Sequence, residues 1–295
     1  MGRTEKSLMT YGVLAAFGLT TMILASSAHA AQHRHVAQSS STNTTTQRYL
    51  DPVFSSVSKT SDTIYGQAFN ACSRKSEILK LDFYQPIGDT LTARPVVILA
   101  HGGGFKGGDK GQSNVTSLAN GYAKRGFVAL SINYRLCSSP TPQARQQAAF
   151  DFMAAIRWAR ATAATYRLDG SRVAGSGTSA GADTAIWIGF DPSNSGTSGN
   201  PGYPSDLQAV ISISGTLIET PSLITAGDAP MSMHHGTGDT VIPYPHALAT
   251  CNLSITVGNV CEMNSYPGAG HSLSSYNSDI LEKSSEFLHR ALIIA

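Results

Sequence analysis

The stretch RVAGSGTSAGADTAI, residues 172–186, decides how this chain is read. It opens on a short apolar run and closes on residues that favour helix, with small side chains crowded between. Two serines, Ser176 and Ser179, lie among them. Gly177-Thr178-Ser179-Ala180-Gly181 fits the pattern G-x-S-x-G. A serine held between a strand and a helix must turn sharply to project its hydroxyl. The positions two residues to either side then crowd the turn, so only the smallest side chains fit. Ser176 falls at the strand end and lacks that flanking pattern. The helix that follows also directs the positive end of its dipole at the Ser179 oxygen. By itself the pattern is weak in a chain with 28 glycines. Its placement on a strand–turn–helix junction gives it weight.

On the N-terminal side, SEILKLDFY (76–84) alternates, with Leu79, Leu81 and Phe83 on one face. PVVILA (95–100) and FVALSINY (127–134) are short runs of the kind a buried parallel strand needs. Residues 115–126 read as a helix that stops at Gly126. Residues 144–166 are Ala-rich, with Phe150, Met153, Ile156 and Trp158 at near-helical spacing, and read as one long helix. On the C-terminal side, LQAVISISG (207–215), MSMHHG (231–236) and CEMNSYPG (261–268) supply further strands. An amphipathic helix over 278–294 closes the chain. This alternation implies an α/β fold, a doubly wound and mostly parallel sheet flanked by helices, over residues 49–295. No internal repeat and no second boundary interrupts it. Such sheets bind ligands at the carboxyl ends of their strands, so the chemistry belongs just after the strand runs.

The composition excludes some functions. With 41% hydrophobic and 14% charged residues, the chain can bury a sizeable core. A net charge of +2 lacks the basic footprint that nucleic-acid binding requires. The first thirty residues read as a signal peptide. Arg3 and Lys6 give a positive start, residues 8–24 are uncharged and mostly apolar, and Ala28-His29-Ala30 is a small-x-small cleavage pattern. A retained anchor is the rival, since the run approaches the ~20 residues a membrane span needs. Its Thr and Gly content and the processing pattern favour cleavage near Ala30, export, and no stable membrane insertion afterwards. Residues 31–48 are Ser/Thr-rich and read as a flexible leader, with His33 and His35 as part of a solvated linker rather than metal ligands. Cys72, Cys137, Cys251 and Cys261 form an even set, which in an exported chain suggests disulfides. Of the three possible pairings, Cys251 with Cys261 closes a short local loop and leaves Cys72 with Cys137. No C-x-x-C spacing supports a zinc site.

Two further features fall where chemistry is expected. His101-Gly102-Gly103-Gly104-Phe105 follows the run PVVILA. Its glycines leave backbone amides free to hold a negative oxygen, an effect of about 3–4 kcal/mol per donor in a tetrahedral intermediate. A phosphate loop is excluded because no GK[ST] follows. Gly103, Gly104 and Ala180 are therefore the expected oxyanion donors, and His101 is expected to be structural. A serine nucleophile needs a base, and the base needs an orienting carboxylate. Asp239 lies in the loop after MSMHHG and His271 in the loop after CEMNSYPG. The order Ser179, Asp239, His271 follows the sheet. Asp228 precedes a strand, His246 and His289 fall in helices, and His234 and His235 lie in or at the end of a strand.

With these residues in view, the chain resembles the α/β-hydrolases of the bacterial esterase/lipase type, BD-FAE and acetyl-esterase-like, which carry HGGG and G-x-S-x-G motifs. The segments LDFYQP, AHGGGFKGGDK, YAKRGFVALSINYRL, DGSRVAGSGTSAGA and HHGTGDTVIP carry the likeness, from about residue 50 to the end. The resemblance implies about eight strands, a small or absent cap, and carboxylic-ester hydrolysis without a cofactor. It implies Ser179 as nucleophile, Asp239 as acid and His271 as base. Many relatives have a second glycine after the elbow glycine, whereas Ala182 stands here. Arg135 in NYRL reads as a buried ion-pair partner, with Asp151 as the candidate. The segments 190–206 and 216–230 are too short to make a large apolar lid, so an open site is expected. That favours small-molecule or polysaccharide-linked short acyl esters over long-chain fats. A serine peptidase or an acyltransferase could use the same residues, and a non-catalytic binding protein is the more distant alternative. The sequence leaves the oligomeric state open.

Overall fold

The computed structural model describes residues 47–139 and 141–294. The expected signal segment, its cleavage site near Ala30 and the His33/His35 pair lie outside them. Eight strands form one sheet: β1 (Val57–Asn70), β2 (Lys75–Pro86), β3 (Arg94–Ala100), β4 (Val128–Ile132), β5 (Leu168–Thr178), β6 (Ala209–Ile213), β7 (Met231–Gly236) and β8 (Cys261–Tyr266). Their order is β1-β2-β4-β3-β5-β6-β7-β8. β2 pairs antiparallel with β1 and β4, and the remaining pairs are parallel.

The apolar runs are apolar because both faces of the sheet are covered. In β3 every residue is buried, and alternate side chains feed two separate cores. Val96, Ile98 and Ala100 face one core. Val97 and Leu99 face the other. Helices α1 (Ser113–Lys124) and α6 (Asn277–His289) cover one face, through Leu118, Tyr122, Ile280 and Phe287. Helices α2 (Pro142–Ala161), α4 (Ala180–Phe190) and α5 (Tyr244–Thr256) cover the other, through Phe152, Ile156, Ile186 and Ala247. The loops bearing Ser179, Asp239 and His271 leave the carboxyl ends of parallel strands, where sheets of this kind bind ligands.

Several boundaries differ from the sequence reading. The helix over 144–166 begins earlier, where the Thr141 side chain accepts from the Ala144 amide and Pro142 takes the first turn. It breaks at Thr162, whose hydroxyl donates back to the Trp158 carbonyl at 2.7 Å, and a single turn, α3 (Ala163–Tyr166), follows. Strand β5 starts at Leu168, ahead of Arg172. The last helix ends its regular part at His289 and widens into a π-turn over Arg290–Ile294. Arg48, assigned to the leader from the sequence, is part of the fold: its guanidinium pairs with Asp89 at 2.6 Å and donates to the Gly126 carbonyl at 2.9 Å.

Cys72 is bonded to Cys137 and Cys251 to Cys261, the expected pairing. Arg135 and Asp151 form the expected buried ion pair at 2.7 Å, with Ser198 donating to the same carboxylate. Ser198 belongs to the segment 190–206. That segment is held against α2 by Arg157, which donates to the Ser195 and Gly199 carbonyls. It therefore builds no lid. Among the described residues no helix is long and apolar enough to cross a membrane.

Candidate active site

Ser179 stands at the junction of β5 and α4 with φ 54° and ψ −122°. A non-glycine residue in that region stores about 1–3 kcal/mol of strain. Its surroundings hold it there. The Ser179 amide donates to the Ile213 carbonyl of β6 at 2.8 Å, and its own carbonyl accepts from the Ala182 and Asp183 amides. A Cβ on Gly177 would run into the Gly181 backbone, and one on Gly181 would run into the Ala100 and His101 carbonyls. The small residues of the opening stretch are thus the space in which the turn is made.

The Ser179 hydroxyl donates to His271 Nε2 at 2.9 Å. His271 Nδ1 donates to Asp239 Oδ2 at 2.8 Å. Three residues distant in sequence therefore meet in one line at the strand ends. The loop bearing His271 is tethered by Ser214, whose hydroxyl donates to the His271 carbonyl at 2.9 Å. Burial pushes the Asp239 carboxyl up, but hydrogen bonds from His271 and from the Ile242 and Val241 amides outweigh it, and its pKa lies below the ordinary carboxylate value.

The structure adds a residue that the sequence reading passed over. His235, at the end of β7, lies with Nε2 2.8 Å from the Ile242 carbonyl and 3.1 Å from Asp239 Oδ2. A carbonyl only accepts, so Nε2 carries the proton and also faces the carboxylate. Burial pushes the pKa of His235 down, which keeps it neutral. Its position four residues before Asp239 was the available signal. The neighbouring His234 is fully buried, donates to the Tyr266 hydroxyl at 2.9 Å, and is pushed down to about 3 by burial. Tyr266 donates in turn to Asp279 at 2.8 Å, which joins β7, β8 and α6.

Gly103 (φ 123°) and Gly104 (φ 61°) shape the loop after β3. Among the described residues their amides donate to no protein acceptor. Ala180 occupies the first position of α4, where helix amides lack a partner one turn back. His101 is buried, stacks on Tyr134 with ring centroids 4.3 Å apart, and accepts that tyrosine's hydroxyl on its carbonyl. It braces the loop. The other candidates fall away from the line: Ser176 is buried within β5, Asp228 caps its own turn through Thr225, and His289 ends α6.

A cavity of about 660 Å³ is walled by Phe105, Trp187, Leu217 and Ile242 with Asp183, Arg145 and Glu219 among them, several of which stand a few residues from Ser179 or Asp239 in the chain. A smaller one of about 320 Å³ lies toward Gln112, Asn114, Thr178 and Asn277. Among the described residues no group of three or more His, Cys, Asp or Glu side chains is placed to hold a metal.

Comparison with known proteins agrees with this architecture. The BD-FAE family matches residues 81–218, and the Phospholipase/Carboxylesterase family matches residues 201–291. No curated protein matches the chain. Among solved structures, it is similar to a thermophilic esterase from the planctomycete Thermogutta terrifontis in its propionate-bound form. The identity is 25% and the TM-score 0.68, over 78% of this chain and 93% of that one. The butyrate-bound form of that esterase gives 24% and 0.68 over 78% and 93%. The form phosphonylated by cyclosarin gives 24% and 0.67 over the same shares. The sheet and its elbow define an α/β-hydrolase. Within that fold, its similarity to the BD-FAE and Phospholipase/Carboxylesterase families and to solved esterases marks the chain as a serine esterase.

Proposed function

We propose that Ser179 is the nucleophile of this esterase, with His271 as general base and Asp239 as the carboxylate that orients it. His271 removes the Ser179 proton as the hydroxyl oxygen attacks the ester carbonyl. The Gly103, Gly104 and Ala180 amides hold the negative oxygen that forms. His271 then returns the proton to the departing alcohol, leaving an acyl-enzyme. Water, deprotonated by the same histidine, releases the acid. The observation that carries this reading is the unbroken hydrogen-bond line at 2.8 and 2.9 Å from Asp239 through His271 to Ser179.

Short-chain or polysaccharide-linked acyl esters are the proposed substrates. The segment 190–206 is tied to α2, which leaves the cleft open, and the similar esterase was captured with propionate and with butyrate. We also propose that the chain is exported after cleavage near Ala30, a reading that the two disulfides support. A p-nitrophenyl ester series from two to sixteen carbons, run beside acetylated and feruloylated sugars, tests the substrate. Ser179→Ala is expected to lower kcat by about 10⁴-fold or more with an unchanged circular dichroism spectrum. Near-normal turnover by that variant refutes the assignment, and preference for the longest chains refutes the substrate class.

A further inference from the structure

Asp183 stands in the wall of the larger cavity, and among the described residues no Lys, Arg or His forms an ion pair with it. It lies in the first turn of α4, four residues past Ser179, which caps that helix. Its Oδ1 accepts from the Thr216 amide at 2.8 Å. Among the described residues no donor reaches Oδ2. Arg145, on the same wall, is bonded to Glu219 at 2.6 Å. The charged and titratable groups around Asp183 are Arg145 from α2, Glu219 from the loop after β6, His271 from the loop after β8, Tyr134 from the loop after β4, and His246 of α5 on the cavity wall. Burial pushes the Asp183 carboxyl up to about 6. The Thr216 amide, Arg145 and His271 hold it back, and Glu219 pushes the same way as burial. It is therefore ionised at neutral pH. Asp183 is half-buried, and its second oxygen is left open to the cavity, where a ligand donor can reach it. Trp187 on the same cavity offers an aromatic surface, which suits a cation or an alkyl group, whereas Phe105 already carries the Arg145 guanidinium over its ring at 5.8 Å.

We propose that Asp183 determines substrate charge: it draws a cationic or hydrogen-bond-donating group of the ester into the cavity and turns away esters that carry a negative charge there. This rests on the esterase reading above and adds to it the electrostatic class of the substrate. Either the acyl or the alcohol side of the ester can occupy the cavity, so the test uses both.

Acetylcholine is compared with its neutral isostere 3,3-dimethylbutyl acetate. Ethyl betainate is compared with ethyl 3,3-dimethylbutanoate. O-acetylglycolate and monoethyl malonate supply the anions. The kcat/KM ratio of charged to neutral ester is measured in the wild type and in Asp183→Asn, so that intrinsic reactivity cancels. At pH 8 at least one cation-to-neutral ratio is expected to be about tenfold higher in the wild type, and the matching anion-to-neutral ratio about tenfold lower. From pH 7 to pH 5 the wild-type preference is expected to fade, while that of Asp183→Asn stays flat. Ratios that are equal in the two proteins, on both sides of the ester, overturn the proposal. So does a wild-type preference that ignores pH, a measurement that needs no variant. Failure of the wild type to cleave any of the neutral esters would instead sink the esterase reading itself.

Discussion

Asp239 and Asp183 both feel the charge of His271, and the fold treats them in opposite ways. Asp239 sits in the loop after β7, where the His271 ring and the Val241 and Ile242 amides all donate to it, and His235 stands beside it. Asp183 sits in the first turn of α4 and receives one amide, from Thr216. Asp239 is buried and Asp183 half-buried against the cavity, and loss of water is the largest influence on each. The donor count decides the outcome: Asp239 falls below the ordinary range and Asp183 rises to about 6. Environments that push two acids apart assign them different work. In the roles proposed above, the satisfied one orients the base and the unsatisfied one meets the substrate.

Removing the charge from each acid should separate those tasks. Asp239→Asn is expected to lower kcat by about 10³–10⁴-fold on every ester, since the imidazole loses its orienting partner. Asp183→Asn is expected to stay within about tenfold of the wild type on neutral esters. Equal losses in the two variants, measured on p-nitrophenyl acetate, would erase the distinction. A smaller effect is expected at His235. His235→Phe removes the donor beside Asp239 and is expected to lower kcat by about tenfold with little change in KM. His235→Gln, which keeps an N–H, should recover part of that loss, whereas a purely packing role would favour the phenylalanine.

The smallest expected effect is on stability, and its sign differs between the two acids. A raised carboxyl pKa contributes stability that is present below the unfolded value and lost as pH rises through the folded one. The Asp183 contribution is therefore lost between about pH 4 and pH 6. Asp183→Asn should be more stable than the wild type at pH 8, by about 1–2 kcal/mol, and no more stable at pH 4. A depressed pKa works the other way, so the Asp239 contribution is present at neutral pH and lost only in acid. Thermal unfolding of both variants at pH 4 and pH 8 checks the two signs.

Much of this was legible in the sequence because it was written in local form. The run of β3 is apolar on both faces and that of β4 nearly so, and the elbow motif needs its small residues by steric necessity. The loops bearing Asp239 and His271 follow strands that could be recognised, so their convergence followed from topology. Strand β1 was not singled out, because it is an edge with mostly half-buried or exposed Ser, Thr and Lys, interrupted by bulges. The break at Thr162 was hidden by continuous Ala-rich helix propensity on both sides. Asp183 and His235 were visible as residues but not as participants. Each is four positions from a triad member, yet its significance depends on contacts with Thr216 and Ile242 that no spacing reveals. Arg48 likewise acquires its role only from Asp89, far along the chain.

The two cystine bridges have unequal weight in the unfolded chain. Cys72–Cys137 spans 65 residues and Cys251–Cys261 spans 10. By loop-closure entropy the first stabilises by about 4 kcal/mol and the second by about 3. Together they rival the entire folding free energy of an ordinary domain, about 5–15 kcal/mol. Recombinant yield should therefore follow the oxidising power of the host compartment, and the longer bridge, which fastens the turn between β1 and β2 to the segment after β4, should be the one whose absence is felt first.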